Sequence, residues 1–197
     1  IGALIEHWHG MEIGFSERLE KMAPAKKTIG KAAVSLVHDG ESVVFDSGTT
    51  TLYAARELRF HRNVVVVTFS LAVLEELASA EEIRVELTGG VYRSSSHDLI
   101  GHGVADSLKS IYADHVMFGA TAVSFNRGVM VEDPDAQREM LQAGKQKVLL
   151  VDSSKIGMEA TYRLCDIEDC DLIVTDRMLP SAHLDRLRKI TQVHVAD

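Results

Sequence analysis

The chain lacks any run of about 18 apolar residues, which argues against a membrane-spanning helix. It also lacks a basic start followed by an apolar stretch. Glu6, His7 and His9 stand there instead, so no secretory signal is expected. Cysteine is scarce. Cys165 and Cys170 have neither CxxC spacing nor further partners, which fits reduced thiols in a cytoplasmic protein rather than a disulfide framework. Positive charge is in deficit, with 21 Lys and Arg against 29 Asp and Glu and a formal net charge of -8. Phosphate backbones are gripped by clustered Lys and Arg, so this chain is not expected to hold nucleic acid or an anionic membrane by charge alone. Neither G-x-S-x-G nor H-E-x-x-H occurs, which leaves no hydrolase motif. His7-Trp8-His9 looks like a metal pair, but it is i, i+2 with no third ligand nearby, and a closed site needs more. No metal and no cofactor are expected.

What is present is a chain of 197 residues, 46% hydrophobic, enough for one domain with its own core. It begins at Ile1 rather than Met and is read as part of a longer protein. Residues 1–24 are expected to be an arm, with Phe15–Met22 helical, leading into a domain over residues 25–197. Ile29, Ala32, Ala33, Leu36 and Val37 form one helical face closed by Asp39-Gly40. Strands and helices then alternate. Strands are expected at Val43–Phe45, Val64–Val67, Ile83–Leu87, Val116–Phe118, Val148–Val151, Leu172–Thr175 and Val193–Val195. Helices are expected at Thr49–Leu58, Leu71–Ala78, Val104–Ile111 and Pro134–Gly144, with another starting near Pro180. Continuous β-branched strands separated by helices predict an α/β fold with a mostly parallel sheet flanked by helices. There is no repeat and no low-complexity linker.

The turn Asp46-Ser47-Gly48-Thr49-Thr50-Thr51 ends one buried strand and opens a helix. Four hydroxyls, free backbone N–H groups and the positive end of a helix dipole meet there, which suits an anionic oxygen such as a phosphate. Gly48 allows close backbone approach. An ordinary N-cap is the alternative reading of the same residues. Thr68-Phe69-Ser70, Gly89-Gly90, Gly119-Ala120-Thr121 and Asp152-Ser153-Ser154-Lys155 end four further strands. In a parallel sheet these segments line one crevice. Lys155 supplies a cation for it, or is a solvated surface lysine. Glu132, Asp133 and Asp135 fit helix capping better than general-base work.

Phe15-x-x-Arg18, Asp39-Gly40, Asp46–Thr51, Leu87-Thr-Gly-Gly90 with Arg93, Leu99-Ile-Gly101, Asp114 with Phe118-Gly-Ala120, Asp152-Ser-Ser-Lys155-x-Gly157 and Thr175-Asp176 occur in this order. The ordered set resembles the C-terminal effector-sensing domain of DeoR-type bacterial transcriptional regulators. The resemblance implies the Rossmann-like three-layer fold shared with ribose-5-phosphate isomerases and CoA transferases. It implies a sensor for a phosphorylated sugar or related metabolite, joined to an N-terminal winged helix-turn-helix that this chain does not include. DNA would be reached only through that part, and Ile1-Gly2-Ala3 is read as its stub. The implied effector contacts are Asp46, Ser47, Gly48, Thr49, Thr50, Thr51, Ser70, Gly89, Gly90 and Lys155, with Asp152 beside them. Phe69 replaces a commonly found Asn, and Gln137 stands where the family commonly has Lys, removing a charge-assisted bond to an anion. A homo-oligomer follows from the resemblance and from two-fold operators. The other function class open to this fold is a sugar-phosphate isomerase, with Asp46, Asp152 or Asp133 as base and Lys155 polarising the carbonyl.

Overall fold

A strand that is apolar on both sides of its pleat needs a packed layer on each face. The computed structural model, which describes residues 14–197, meets that demand with a seven-stranded sheet between two helical layers. The strands are β1 (Ser42–Phe45), β2 (Val64–Thr68), β3 (Ile83–Leu87), β6 (Ala113–Phe118), β9 (Gly144–Leu150), β11 (Leu172–Asp176) and β12 (Gln192–Ala196). Their order is β12-β11-β9-β6-β1-β2-β3, and every neighbouring pair is parallel.

Alternate residues of each strand serve opposite faces. Val43, Phe45, Met117, Val148, Leu150 and Val174 meet α2 (Ala23–Val34), α3 (Thr49–Leu58) and α4 (Leu71–Leu77). Val44, Val116, Phe118, Leu149, Val151 and Ile173 pack on the other side, with α5 (His102–Leu108), α6 (Asp135–Met140) and α7 (Ser181–Arg188). Leu149 and Ile173 are fully buried, so truncating either to Ala should cost about 2–5 kcal/mol. A short α1 (Phe15–Glu20), inside the segment read as an arm, packs Phe15 into the first of these layers. His7-Trp8-His9 and Ile1-Gly2-Ala3 lie outside the described residues.

The expected helix over 134–144 is corrected. It ends at Met140, and Gly144 opens β9 in register with Ala113. The buried Leu141 and Ala143 prolong the apolar pattern through the intervening turn and mimic a longer helix. A Cβ at Gly144 would come within 2.6 Å of Val116 Cγ2, so the close strand approach there needs glycine. Five short strands were not expected. The hairpin β4 (Val91–Arg93) and β5 (Asp98–Ile100), and the antiparallel set β7 (Ala122–Ser124), β8 (Gly128–Val131) and β10 (Tyr162–Cys165), hold three or four residues each. Runs that short leave little periodicity to read.

The chain runs outward from β1 to β2 and β3, then returns to the other side of β1 as β6. The loops after β1 and β6 therefore diverge at a topological switch point, where crevices open in such sheets.

Candidate functional site

Asp46 closes β1 at that switch point and is 2% exposed. Its Oδ1 accepts from Gly48 N at 2.8 Å and Thr51 Oγ1 at 2.5 Å. Its Oδ2 accepts from Gly119 N at 2.7 Å and Gln137 Nε2 at 2.9 Å. The carboxylate thus ties the turn after β1 to the loop after β6 and to α6. A Cβ on Gly48 would lie 2.9 Å from Asp46 Oδ1, so the turn needs glycine for space.

The four hydroxyls of the turn are not equivalent. Ser47 Oγ donates to Asp98 Oδ2 at 2.8 Å. Thr51 Oγ1 is spent on Asp46 and on Gly48 O at 2.7 Å. Thr49 Oγ1 reaches Arg18 O at a long 3.5 Å. Thr50 Oγ1 has no hydrogen-bond partner among the described residues, and no side chain caps the N-terminus of α3. The helix starts with its first N–H groups and one hydroxyl uncommitted, which sets it apart from an ordinary N-cap.

Asp98 is the hub of the wall beside the turn. It is 1% exposed, and Arg93 clamps it with Nε at 3.0 Å and Nη2 at 2.8 Å. Arg93 Nη1 continues to Asp133 Oδ2 at 2.9 Å. The β4–β5 hairpin is thereby fastened to the turn on one side and to the start of α6 on the other. Ser70 caps α4, accepting from Val73 N at 3.3 Å, and bridges to Asp98. Gly89 and Gly90 pack against α5, where a Cβ on Gly103 would come within 3.0 Å of Gly90 N.

Two cations complete the edge. Lys155, on the 3-10 turn Ser153–Lys155 after β9, donates from Nζ to Ala120 O at 2.7 Å. Burial lowers its pKa, against the pull of Asp152 and Asp46. Asp152 itself caps that turn through Ser154 N at 3.1 Å. The second cation was missed by sequence reasoning. Lys26, 3% exposed on α2, donates from Nζ to Arg18 O. Burial, then the positive charge of Lys155, lowers its pKa to about 8. A signal did exist: Lys26 lies at i−3 and i−7 from Ile29 and Ala33, on the buried stripe of its helix. Neither lysine has a carboxylate within ion-pair distance among the described residues. A separate groove of about 700 Å³, lined by Arg138, Lys147, Arg163 and Cys165 among others, shares none of these residues. Charge and burial, rather than volume, mark the site.

Comparison with known proteins decides the family. Residues 21–177 match the model of the DeoR C terminal sensor domain. The chain belongs to this family. It is 32% identical over 192 residues to the HTH-type transcriptional repressor GlcR of Bacillus subtilis (strain 168), covering 94% of this chain and 72% of that one. It is 30% identical over 176 residues to the lactose phosphotransferase system repressor of Lactococcus lactis subsp. lactis, covering 87% and 69%. The tetrameric eIF2B-beta2-delta2 complex from C. thermophilum aligns at a TM-score of 0.51 and 19% identity, over 75% of this chain and 49% of that one, a likeness of fold. The chain spans between 62% and 72% of the length of the curated relatives it matches. Among the described residues no helix is long and apolar enough to cross a membrane.

Within this DeoR sensor domain the two departures have definite places. Gln137 donates to Asp46 where a lysine would make an ion pair. Phe69 is buried in the core, and its carbonyl accepts from Leu99 N at 2.8 Å, holding the hairpin.

Proposed function

We propose that this chain is the effector-sensing domain of a sugar-responsive transcriptional regulator in the cytoplasm. It binds a phosphorylated sugar or related anionic metabolite at the switch point and passes occupancy to an N-terminal winged helix-turn-helix. The carrying observation is the pair of desolvated lysines, Lys26 and Lys155, without carboxylate partners, beside the uncapped start of α3. Buried charges are costly unless paired, and here an incoming anion supplies the pairing. Thr50 and the free N–H groups of α3 hold its oxygens, with Lys155 and Lys26 as counter-charges. The name of one relative, the lactose phosphotransferase system repressor, supports a sugar-linked effector.

An isomerase would need a free carboxylate poised beside its substrate. Asp46 spends both oxygens on four internal hydrogen bonds, Asp152 caps its own turn, and Asp133 is paired with Arg93. A binding role asks nothing further of them. DNA contact belongs to the winged helix-turn-helix, because this domain carries a net charge of -8. Assembly as a homo-oligomer suits two-fold operators.

The test is thermal denaturation with sugar phosphates and their dephosphorylated parents. A ligand at 100 times its Kd should stabilise the domain by about 2.7 kcal/mol. Phosphates should raise the melting temperature and parent sugars should not; equal shifts from both would sink the reading. A coupled isomerase assay with the same panel should show no turnover.

A further inference from the structure

Helix α1 belongs to the segment read as a linker, yet its end is built into the pocket. Arg18 O is one of the last-turn carbonyls that an α-helix leaves without an internal partner. Lys26 Nζ donates to it, and Thr49 Oγ1 reaches it. Both donors lie on the walls of the proposed anion site. At the other end of α1, Phe15 is buried against the His97 ring of the hairpin, with centroids 5.5 Å apart. Between α1 and α2 the chain turns sharply, with Met22 in the left-handed region at φ 58°.

Lys26 and Lys155 each feel Arg18 of α1, Lys21 just after it, and Asp152, and Lys155 also feels Asp46. The segment therefore brings two further cations near these lysines, alongside its own Glu17 and Glu20. A phosphate monoester carries about -1.5 to -2 at pH 7 and would be drawn to such cations. Arg18 and Lys21 are exposed side chains with no ion pair among the described residues. An ammonium has three donors, so Lys26 can hold the Arg18 carbonyl and an anion together.

We propose that α1 is the mobile third wall of the effector site, with Arg18 and Lys21 as effector-facing cations, so that anion binding and the docking of α1 reinforce each other. This rests on the pocket assigned above. Because linkage is reciprocal, whatever holds α1 down also tightens the pocket for its anion. Occupancy is then reported by the segment that leads toward the chain's N-terminus.

The experiment uses inorganic phosphate as probe, at constant ionic strength, with hydrogen exchange read by mass spectrometry on residues 15–22 and 47–52. Phosphate should slow exchange in both segments of the parent. Arg18→Gln with Lys21→Gln should weaken phosphate binding about tenfold, as loss of two partly solvated charge contacts would, without lowering the melting temperature. Lys21→Arg keeps the charge and should bind like the parent, as should Lys189→Gln, a cation removed elsewhere. Protection of 47–52 with unchanged exchange at 15–22, or parental affinity in the double variant, would overturn the role of α1 and leave the pocket standing. Failure of phosphate to protect 47–52 would overturn the pocket itself, and α1's role with it.

Discussion

The two edges of the same parallel sheet treat charge in opposite ways. At the edge where strands begin, ions are paired and near water. Lys145 Nζ meets Asp114 Oδ1 at 2.7 Å, and Ser42 donates to Asp114 Oδ2 from N at 3.0 Å and from Oγ at 2.8 Å. His115 lies between Glu41 and Gln146, each at 2.9 Å. At the edge where strands end, Lys26 and Lys155 are desolvated and find only backbone carbonyls. The first edge is complete as it stands and serves the fold. The second leaves its two lysines without carboxylate partners among the described residues, which is what the proposed anion site requires.

The sharpest way to break this comparison is Lys155→Met. It should weaken binding of a sugar phosphate by roughly 1.5–3 kcal/mol, or about ten- to hundredfold, in calorimetric titration. The unliganded melting temperature should not fall, because the variant removes a half-buried, desolvated charge along with its one hydrogen bond to Ala120 O. Parental affinity would make Lys155 a structural residue.

Next in size is a pH effect with opposite signs on binding and stability. Lys26, held at about 8 instead of its ordinary 10.5, should lose its proton as pH rises through 8 in the unliganded protein. Affinity for an anion should be level between about pH 7 and 8 and fall on the order of tenfold by about pH 9. Its folded pKa lies below its unfolded one, so the unfolded chain binds more protons between about 8 and 10.5. The cost of burying this ammonium is therefore full below 8 and fades above it. Lys26→Met should flatten both dependences; an unchanged profile in that variant would assign them to other groups.

Thr50→Val and Thr51→Val sharpen the comparison inside one turn. Thr50→Val should weaken binding by about 1 kcal/mol and leave melting unchanged, since its hydroxyl serves nothing in the unliganded fold. Thr51→Val leaves buried Asp46 short of a donor and should cost stability, on the order of 1–3 kcal/mol. Urea denaturation beside titration separates the two, and reversed effects would mean that the roles of the hydroxyls are exchanged.

The smallest effect belongs to the other edge. Asp114→Asn should leave anion binding untouched and lower stability by about 1 kcal/mol through its hydrogen bonds with Ser42. Lys145, then Ser42, holds the Asp114 carboxyl at about 2, below its ordinary 3.8. Its contribution is present above 3.8 and is lost as pH falls from there through about 2. Acid denaturation of parent and variant should therefore differ least at the lowest pH.

Much of the fold is legible in the sequence. The alternation of β-branched runs with helical faces predicted the parallel sheet, because each element carries its own periodicity and a layered sheet is the arrangement that buries both strand faces. The Asp46–Thr51 turn was placed at the strand C-termini for the same reason, and Lys155 with it. The helix over 134–144 was overrun because Leu141 and Ala143 keep an apolar rhythm through a turn.

The sequence by itself determined the layers, the edge on which the polar turns gather, and the family. Each of these follows from local pattern or from ordered motifs. Tertiary structure alone decided which of those polar groups are free. Ser47 and Thr51 are consumed by Asp98 and Asp46, while Thr50 is not, and Lys26 reaches the same place from a helix more than twenty residues earlier. The physical reason is that a hydrogen bond or an unpaired charge is a relation between groups distant in sequence. Spacing along the chain can bring such groups to one edge, but only packing shows which are already satisfied.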